Sequence, residues 1–235
     1  GSRVKDIVDR SGVSMRGMER YGFDWTKPRP MTNETIDALR DFPGKAFGHV
    51  AYLPEYEDAL KVKPTYVLFN MRDPRDVVVS RWYRILKFSE DGDPGGAWLN
   101  YRRVSDSKCF TDLEDPFSEM IISEAIQWKN WLNWVDSNLT MVVRYEDLRL
   151  NPWDVVPQLR KKLRDCDLLS VDGMIKNLLP KPRNPSFRKG MVGEWRTHFE
   201  PHHVALAEEL FGDILDRFGY RGEAYDALLS RQAGG

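Results

Sequence analysis

The sequence predicts an α/β fold: three layers, with a parallel central sheet flanked by helices, read as one domain over residues 1–235. Two observations carry this. The segments TYVLFNMR (65–72) and LTMVVRY (139–145) are nearly continuous apolar runs of strand length, the pattern of strands buried on both faces of a parallel sheet. Each is followed by a proline-introduced helical pattern, and a strand, helix, strand, helix order is the signature of a parallel sheet.

Taken in chain order, residues 3–9 (RVKDIVD) have helical spacing through Val4, Ile7 and Val8, and AFGHVAYLP (46–54) opens with a short apolar run. After the first long apolar strand, Asp73 and Pro74 supply an N-cap and a first-turn proline for the helix RDVVVSRWYRILKF. Residues 89–116 are rich in Gly, Asp and Ser yet carry Trp98 and Tyr101, so they read as a flap. Asn151-Pro152 introduces the amphipathic segment WDVVPQLRKKL, with Pro157 in its first turns. A last helix is expected from about Pro201 to Phe218, its apolar face made by Leu206, Leu210, Phe211, Ile214, Leu215 and Phe218.

Composition narrows the partners. The chain has 35 basic and 36 acidic residues and a net charge of -1, so no global field draws it to nucleic acid or an anionic membrane. An anion site must therefore be local. The two cysteines, Cys109 and Cys166, form no CxxC and have no neighbouring histidine, which argues against a zinc site or a disulfide framework. A reducing, cytoplasmic setting is expected. No apolar run approaches the roughly 20 residues of a membrane span, and the N-terminus has no signal-peptide stretch.

The local anion site has two candidate parts. Ligands in such sheets bind beyond the carboxyl ends of the strands, where RDPRDVVVS (72–80) places Arg72 at a strand end and Ser80 two turns into the following helix. An arginine fork and a hydroxyl suit a phosphate; the alternative is that Arg72 pairs with Asp73 or Asp76 to tie the turn. The second part is FRKGMVGEWRTHF (187–199), where Arg188, Lys189 and Arg196 lie among glycines and aromatics. Its alternative is a solvated basic loop.

Together, RDPRDVVVSRWY and FRKGMVGEW resemble the two nucleotide-binding signatures of the cytosolic-type sulfotransferases, R-(N/D)-P-(K/R)-D-x-x-x-S and R-K-G-x-x-G-(D/E)-W, at every fixed position. DPGGAWLNY, WKNWLNWVDSNLTMVVRYEDL and AFGHVAYLP resemble further family segments. The resemblance implies a P-loop-like α/β fold and transfer of a sulfuryl group from 3′-phosphoadenosine 5′-phosphosulfate (PAPS) to a hydroxyl or amine, leaving adenosine 3′,5′-bisphosphate (PAP). It implies that Arg72, Ser80, Arg188, Lys189 and the Gly190 N–H bind the 3′-phosphate, that Tyr145 touches the adenine, and that His49 is the catalytic base. No metal is expected. The partner is a small-molecule acceptor, with neither nucleic acid nor membrane, and the protein is a monomer or homodimer.

The chain departs from the family pattern twice. Phe47 stands where the family commonly has Lys two residues before the histidine. The phosphosulfate loop, P-K-x-G-(S/T)-x-W, should precede the first helix, but GSRVKDIV begins where it should end. The sequence is read as incomplete at its N-terminus, lacking that loop and a first strand. Two alternatives follow: a non-catalytic PAP- or PAPS-binding relative, or a P-loop kinase, which would need the Walker lysine and Mg²⁺-holding acid not visible here. Acceptors from phenols and steroids to alkyl alcohols and sugars stay open.

Overall fold

The computed structural model describes residues 67–90, 113–136, 140–163 and 191–233. Among them are two strands, β1 (Val67–Met71) and β2 (Thr140–Arg144), and six α-helices: α1 (Pro74–Glu90), α2 (Pro116–Val135), α3 (Tyr145–Leu150), α4 (Pro152–Leu163), α5 (Pro201–Arg217) and α6 (Glu223–Ala233). A 3₁₀ turn spans Glu194–Thr197. The chain divides into two compact units, residues 1–71 with 130–184 and residues 72–129 with 185–235.

In the first unit β1 and β2 pair in parallel, as the two apolar runs predict, with Val67 opposite Thr140 and Met71 opposite Arg144. Phe69 and Met71 of β1 and Met141 and Val143 of β2 are buried. In β2 burial alternates with half-exposure, the two-residue period of a pleated strand. Phe69 meets Trp131 of α2 with ring centroids 6.4 Å apart. The expected strand over 46–50 lies outside the described residues, as do residues 91–112, most of the expected flap.

β2 ends one residue before the sequence expectation. Tyr145 opens α3, whose first turn carries Glu146 and Asp147, carboxylates suited to the positive end of a helix dipole. α4 starts at Pro152 and runs through Pro157. Proline at position 157 has no N–H for the Trp153 carbonyl and its ring crowds that carbonyl, yet the helix continues past it to Leu163.

The second unit holds α1, the first part of α2, the 3₁₀ turn, α5 and α6. Asp73 caps α1: its Oδ1 accepts the Arg75 N–H at 2.9 Å, with Pro74 at the first helical position. Val78, Val79 and Ile85 of α1 are buried, as are Met120, Ile121 and Ala125 of α2. Arg81 joins the two helices, ion-paired to Glu124 and donating to Gln127 Oε1 at 3.2 Å. α5 buries Ala207, Phe211, Ile214 and Leu215; of the expected apolar face Leu206 and Phe218 are half-buried and Leu210 is exposed. Its C-terminus is a Schellman motif: Gly219 has φ of 65°, Tyr220 N–H donates to Leu215 O at 2.8 Å, and Gly219 N–H to Asp216 O at 3.2 Å. Tyr220, fully buried, then leads into α6, a helix the sequence analysis did not anticipate.

Candidate functional site

The carboxyl ends of β1 and β2 are level, because Met71 pairs with Arg144. Arg72 follows the last residue of β1 in the chain, and Tyr145 follows the last residue of β2. Arg72 and Tyr145 are half-buried, and Ser80 is exposed on α1. His49, Arg188, Lys189 and Gly190 lie outside the described residues.

What the structure adds is the function of the charges inside RDPRD. Asp76, in the first turn of α1, is 1 % exposed. Its Oδ2 accepts the Gly193 N–H at 2.7 Å and its Oδ1 the Trp195 N–H at 3.0 Å. Arg72 lies on the same junction, its Nη2 donating to Met191 O at 2.9 Å and standing 3.8 Å from Asp76 Oδ2. The pairing of Arg72 with Asp76, weighed above as the alternative to phosphate binding, is therefore present, while the Arg72 side chain keeps 20 % of its surface open. One arginine with five N–H donors can serve both.

Asp73 and Arg75 form a second, deeper layer. Arg75 is 2 % exposed; its Nε and Nη2 reach Asp73 at 3.0 and 2.8 Å, its Nη1 reaches Glu208 at 3.3 Å, and its Nη2 also donates to Tyr220 O. The guanidinium lies 4.0 Å from the centroid of the Trp195 ring, a cation–π contact with the second signature's tryptophan. Tyr225 of α6 donates its hydroxyl to Asp73 Oδ2 at 2.8 Å. A buried charge demands this saturation, since an unpaired one costs several kcal/mol. The two signatures, 117 and 119 residues apart at the bonded atoms, are thus one hydrogen-bonded structure.

The same geometry explains the second glycine of R-K-G-x-x-G. Gly193 has φ of 76°, in the left-handed region, and a Cβ there would lie 2.8 Å from Leu229 Cδ2. Burial acts first on the Asp76 carboxyl, raising it to about 6; Asp73 adds to the rise, while Arg72 and the two backbone N–H groups oppose it. Sequence reasoning offered Asp73 and Asp76 only as partners of Arg72 within the turn, and missed Arg75 and the bonds from Asp76 to the second signature. Their fixed places in the motif were the available signal.

A further group, Asp115 with His202 and His203, brings three metal-type ligand atoms within 4.8 Å of one another. Its hydrogen bonds assign it otherwise. His203 Nδ1 accepts the Glu200 N–H at 3.0 Å, so Nε2 carries the proton and donates to Asp115 Oδ1 at 2.8 Å. Asp115 also accepts the Ser118 N–H at 3.1 Å and is held well below the usual carboxylate range by its bonds to Ser118 and the two histidines, against its desolvation. The cluster ties the start of α2 to the start of α5, with no imidazole lone pair of His203 aimed at a metal.

The fold and these joined signatures define an α/β protein of sulfotransferase type. Residues 49–219 match the family model of the sulfotransferase domain, and the chain belongs to that family. Among curated relatives, Cytosolic sulfotransferase 3 of Arabidopsis thaliana is 25% identical over 167 residues, covering 61% of this chain and 51% of the relative. Cytosolic sulfotransferase 10 of the same plant is 27% identical over 188 residues, covering 69% and 53%. The chain thus spans about half the length of the curated relatives it matches. The crystal structure of mouse sulfotransferase SULT7A1 complexed with PAP superposes with a TM-score of 0.51 at 16% identity, over 100% of this chain and 84% of that one, a likeness of fold. Among the described residues, no helix is long and apolar enough to cross a membrane.

Proposed function

We propose that the protein, acting as one sulfotransferase-type domain, transfers a sulfuryl group from PAPS to a hydroxyl or amine of a small acceptor. The observation that carries this is the junction of Asp76 and Arg72 with Met191, Gly193 and Trp195, which ties the start of the first signature's helix to the turn that follows Arg188-Lys189-Gly190. A site for a phosphate near two charges needs donors from several directions. In this proposal Arg72, Ser80, Arg188, Lys189 and the Gly190 N–H supply them to the 3′-phosphate, and Tyr145 lies against the adenine. The donor set fits an anion: a partly open arginine side chain after β1, an exposed serine on α1 and, in the sequence, a glycine at position 190 that would let main chain approach closely.

The reaction needs one proton moved. The acceptor oxygen forms a bond to sulfur as the bond from sulfur to the bridging oxygen of the 5′-phosphate breaks, and PAP leaves with that electron pair. His49 takes the acceptor's proton, a role suited to a side chain titrating near neutrality. A cytosolic location, the absence of nucleic-acid and membrane partners, and a monomeric or homodimeric state belong to the same proposal; the relatives' names support the first.

Phe47, where the family commonly has Lys, favours a second reading: a relative that binds PAP or PAPS without turnover. Calorimetry with PAP, beside a sulfuryl-transfer assay with and without Mg²⁺, separates the readings. PAPS turnover without metal supports the proposal, and PAP binding alone supports the second reading. Binding of ATP with metal-dependent transfer would replace both with a kinase.

A further inference from the structure

We infer that Asp76 is a positioning residue for the 3′-phosphate site: it does not touch the nucleotide, but its carboxylate fixes the turn Met191–Trp195 through which the second signature is held to α1. The inference rests on the proposed nucleotide site and deepens it.

The argument begins with donor counting. A turn that enters a 3₁₀ segment leaves backbone N–H groups without carbonyl partners. Here the N–H groups of Gly193 and Trp195 both go to one carboxylate, one to each oxygen, at 2.7 and 3.0 Å. Such charge-assisted bonds are short and directional, and two of them on one rigid carboxylate fix both position and orientation. The carboxylate itself is rigid, because it stands in the first turn of α1, whose start is capped by Asp73. Arg72 completes the clamp from the acceptor side by taking Met191 O at 2.9 Å. Gly190 is joined to Met191 by a single peptide, so whatever fixes Met191 limits where the preceding main chain can go.

Asparagine cannot replace this carboxylate. It offers one acceptor oxygen and one donor NH₂, so one of the two backbone N–H groups would face another donor. Asp76→Asn nearly conserves volume while breaking the clamp at one point.

The test compares affinities for PAP and adenosine 5′-phosphate, which differ only in the 3′-phosphate. Wild-type protein should prefer PAP, and Asp76→Asn should lose about tenfold or more of its PAP affinity with adenosine 5′-phosphate nearly unchanged. Phe211→Leu, a change in the fully buried part of α5, serves as the control for lost stability. It should keep the preference for PAP. Equal loss of preference in the two variants, an unfolded Asp76→Asn, or a folded Asp76→Asn with its full preference would overturn the positioning role. A second measurement needs no variant. By linkage, saturating PAP should slow hydrogen exchange at the Gly193 and Trp195 amides of the wild type more than adenosine 5′-phosphate does. Identical exchange with both nucleotides would overturn the inference. No preference for PAP in the wild type would instead remove the proposed nucleotide site itself.

Discussion

At the scale of single residues, the motif letters turn into physical requirements. Gly193 is glycine because its φ of 76° disfavours any side chain and because Leu229 of α6 fills the space a Cβ would need. Gly193→Ala should lower unfolding stability by about 1–2 kcal/mol from the backbone alone, read by urea denaturation. Gly212, inside α5 with nothing within 4 Å of its would-be Cβ, is the contrast. There alanine should stabilise by about 0.5–1 kcal/mol. Asp76 makes a pH prediction. Its folded value of about 6 lies above the ordinary 3.8, so the folded state holds the extra proton between them. Its contribution to stability should therefore fall as pH rises from about 4 to about 6, and Asp76→Asn should remove that slope from a denaturation series. An unchanged slope would mean that the carboxyl titrates normally.

At the scale of elements, the legible parts were those whose local chemistry agrees with their tertiary setting. β1 and β2 are apolar along nearly their whole length, Asp73-Pro74 opens α1, and Phe211, Ile214 and Leu215 of the expected α5 stripe are buried. The less legible parts depend on long-range partners. α6 is short, and one of its anchors is Tyr225, whose hydroxyl reaches Asp73, 152 residues earlier in the chain. No local pattern announces such a bond. Tyr145 leaves β2 for the same kind of reason, since strand and helix propensity alone do not separate YEDL from the apolar run before it. Tyr225→Phe isolates the α6 anchor. It should cost about 1.5 kcal/mol, the low end for a bond to a charged group, because Arg75 still satisfies Asp73. Denaturation of the folded variant checks it, and an unchanged midpoint would show that α6 is held by packing alone.

For the whole molecule, the sequence resemblance led to the family, and the sequence offered Asp73 and Asp76 as turn-tying partners of Arg72, whereas the buried bonds of Arg75 and the bonds from Asp76 to the second signature depend on long-range contacts that no local pattern shows. Charges inside a motif read as ligand contacts, and only burial reveals that three of the four charges in RDPRD (72–76) face protein. The proposed chemistry has its own test at His49. His49→Ala should cut turnover about 10² to 10⁴-fold while nucleotide affinity barely changes. The loss should be smaller for nitrophenols, already largely ionised near neutrality. Equal loss for all acceptors would reduce His49 to charge stabilisation.

The central claim is that the two signatures build one site for a 3′-phosphate, and the most direct measurement is nucleotide affinity in Arg188→Ala. Calorimetry should show PAP binding weakened about ten- to a hundredfold, with adenosine 5′-phosphate nearly unaffected. Equal losses for the two nucleotides would contradict the claim, because Arg188 would then not read the 3′-phosphate.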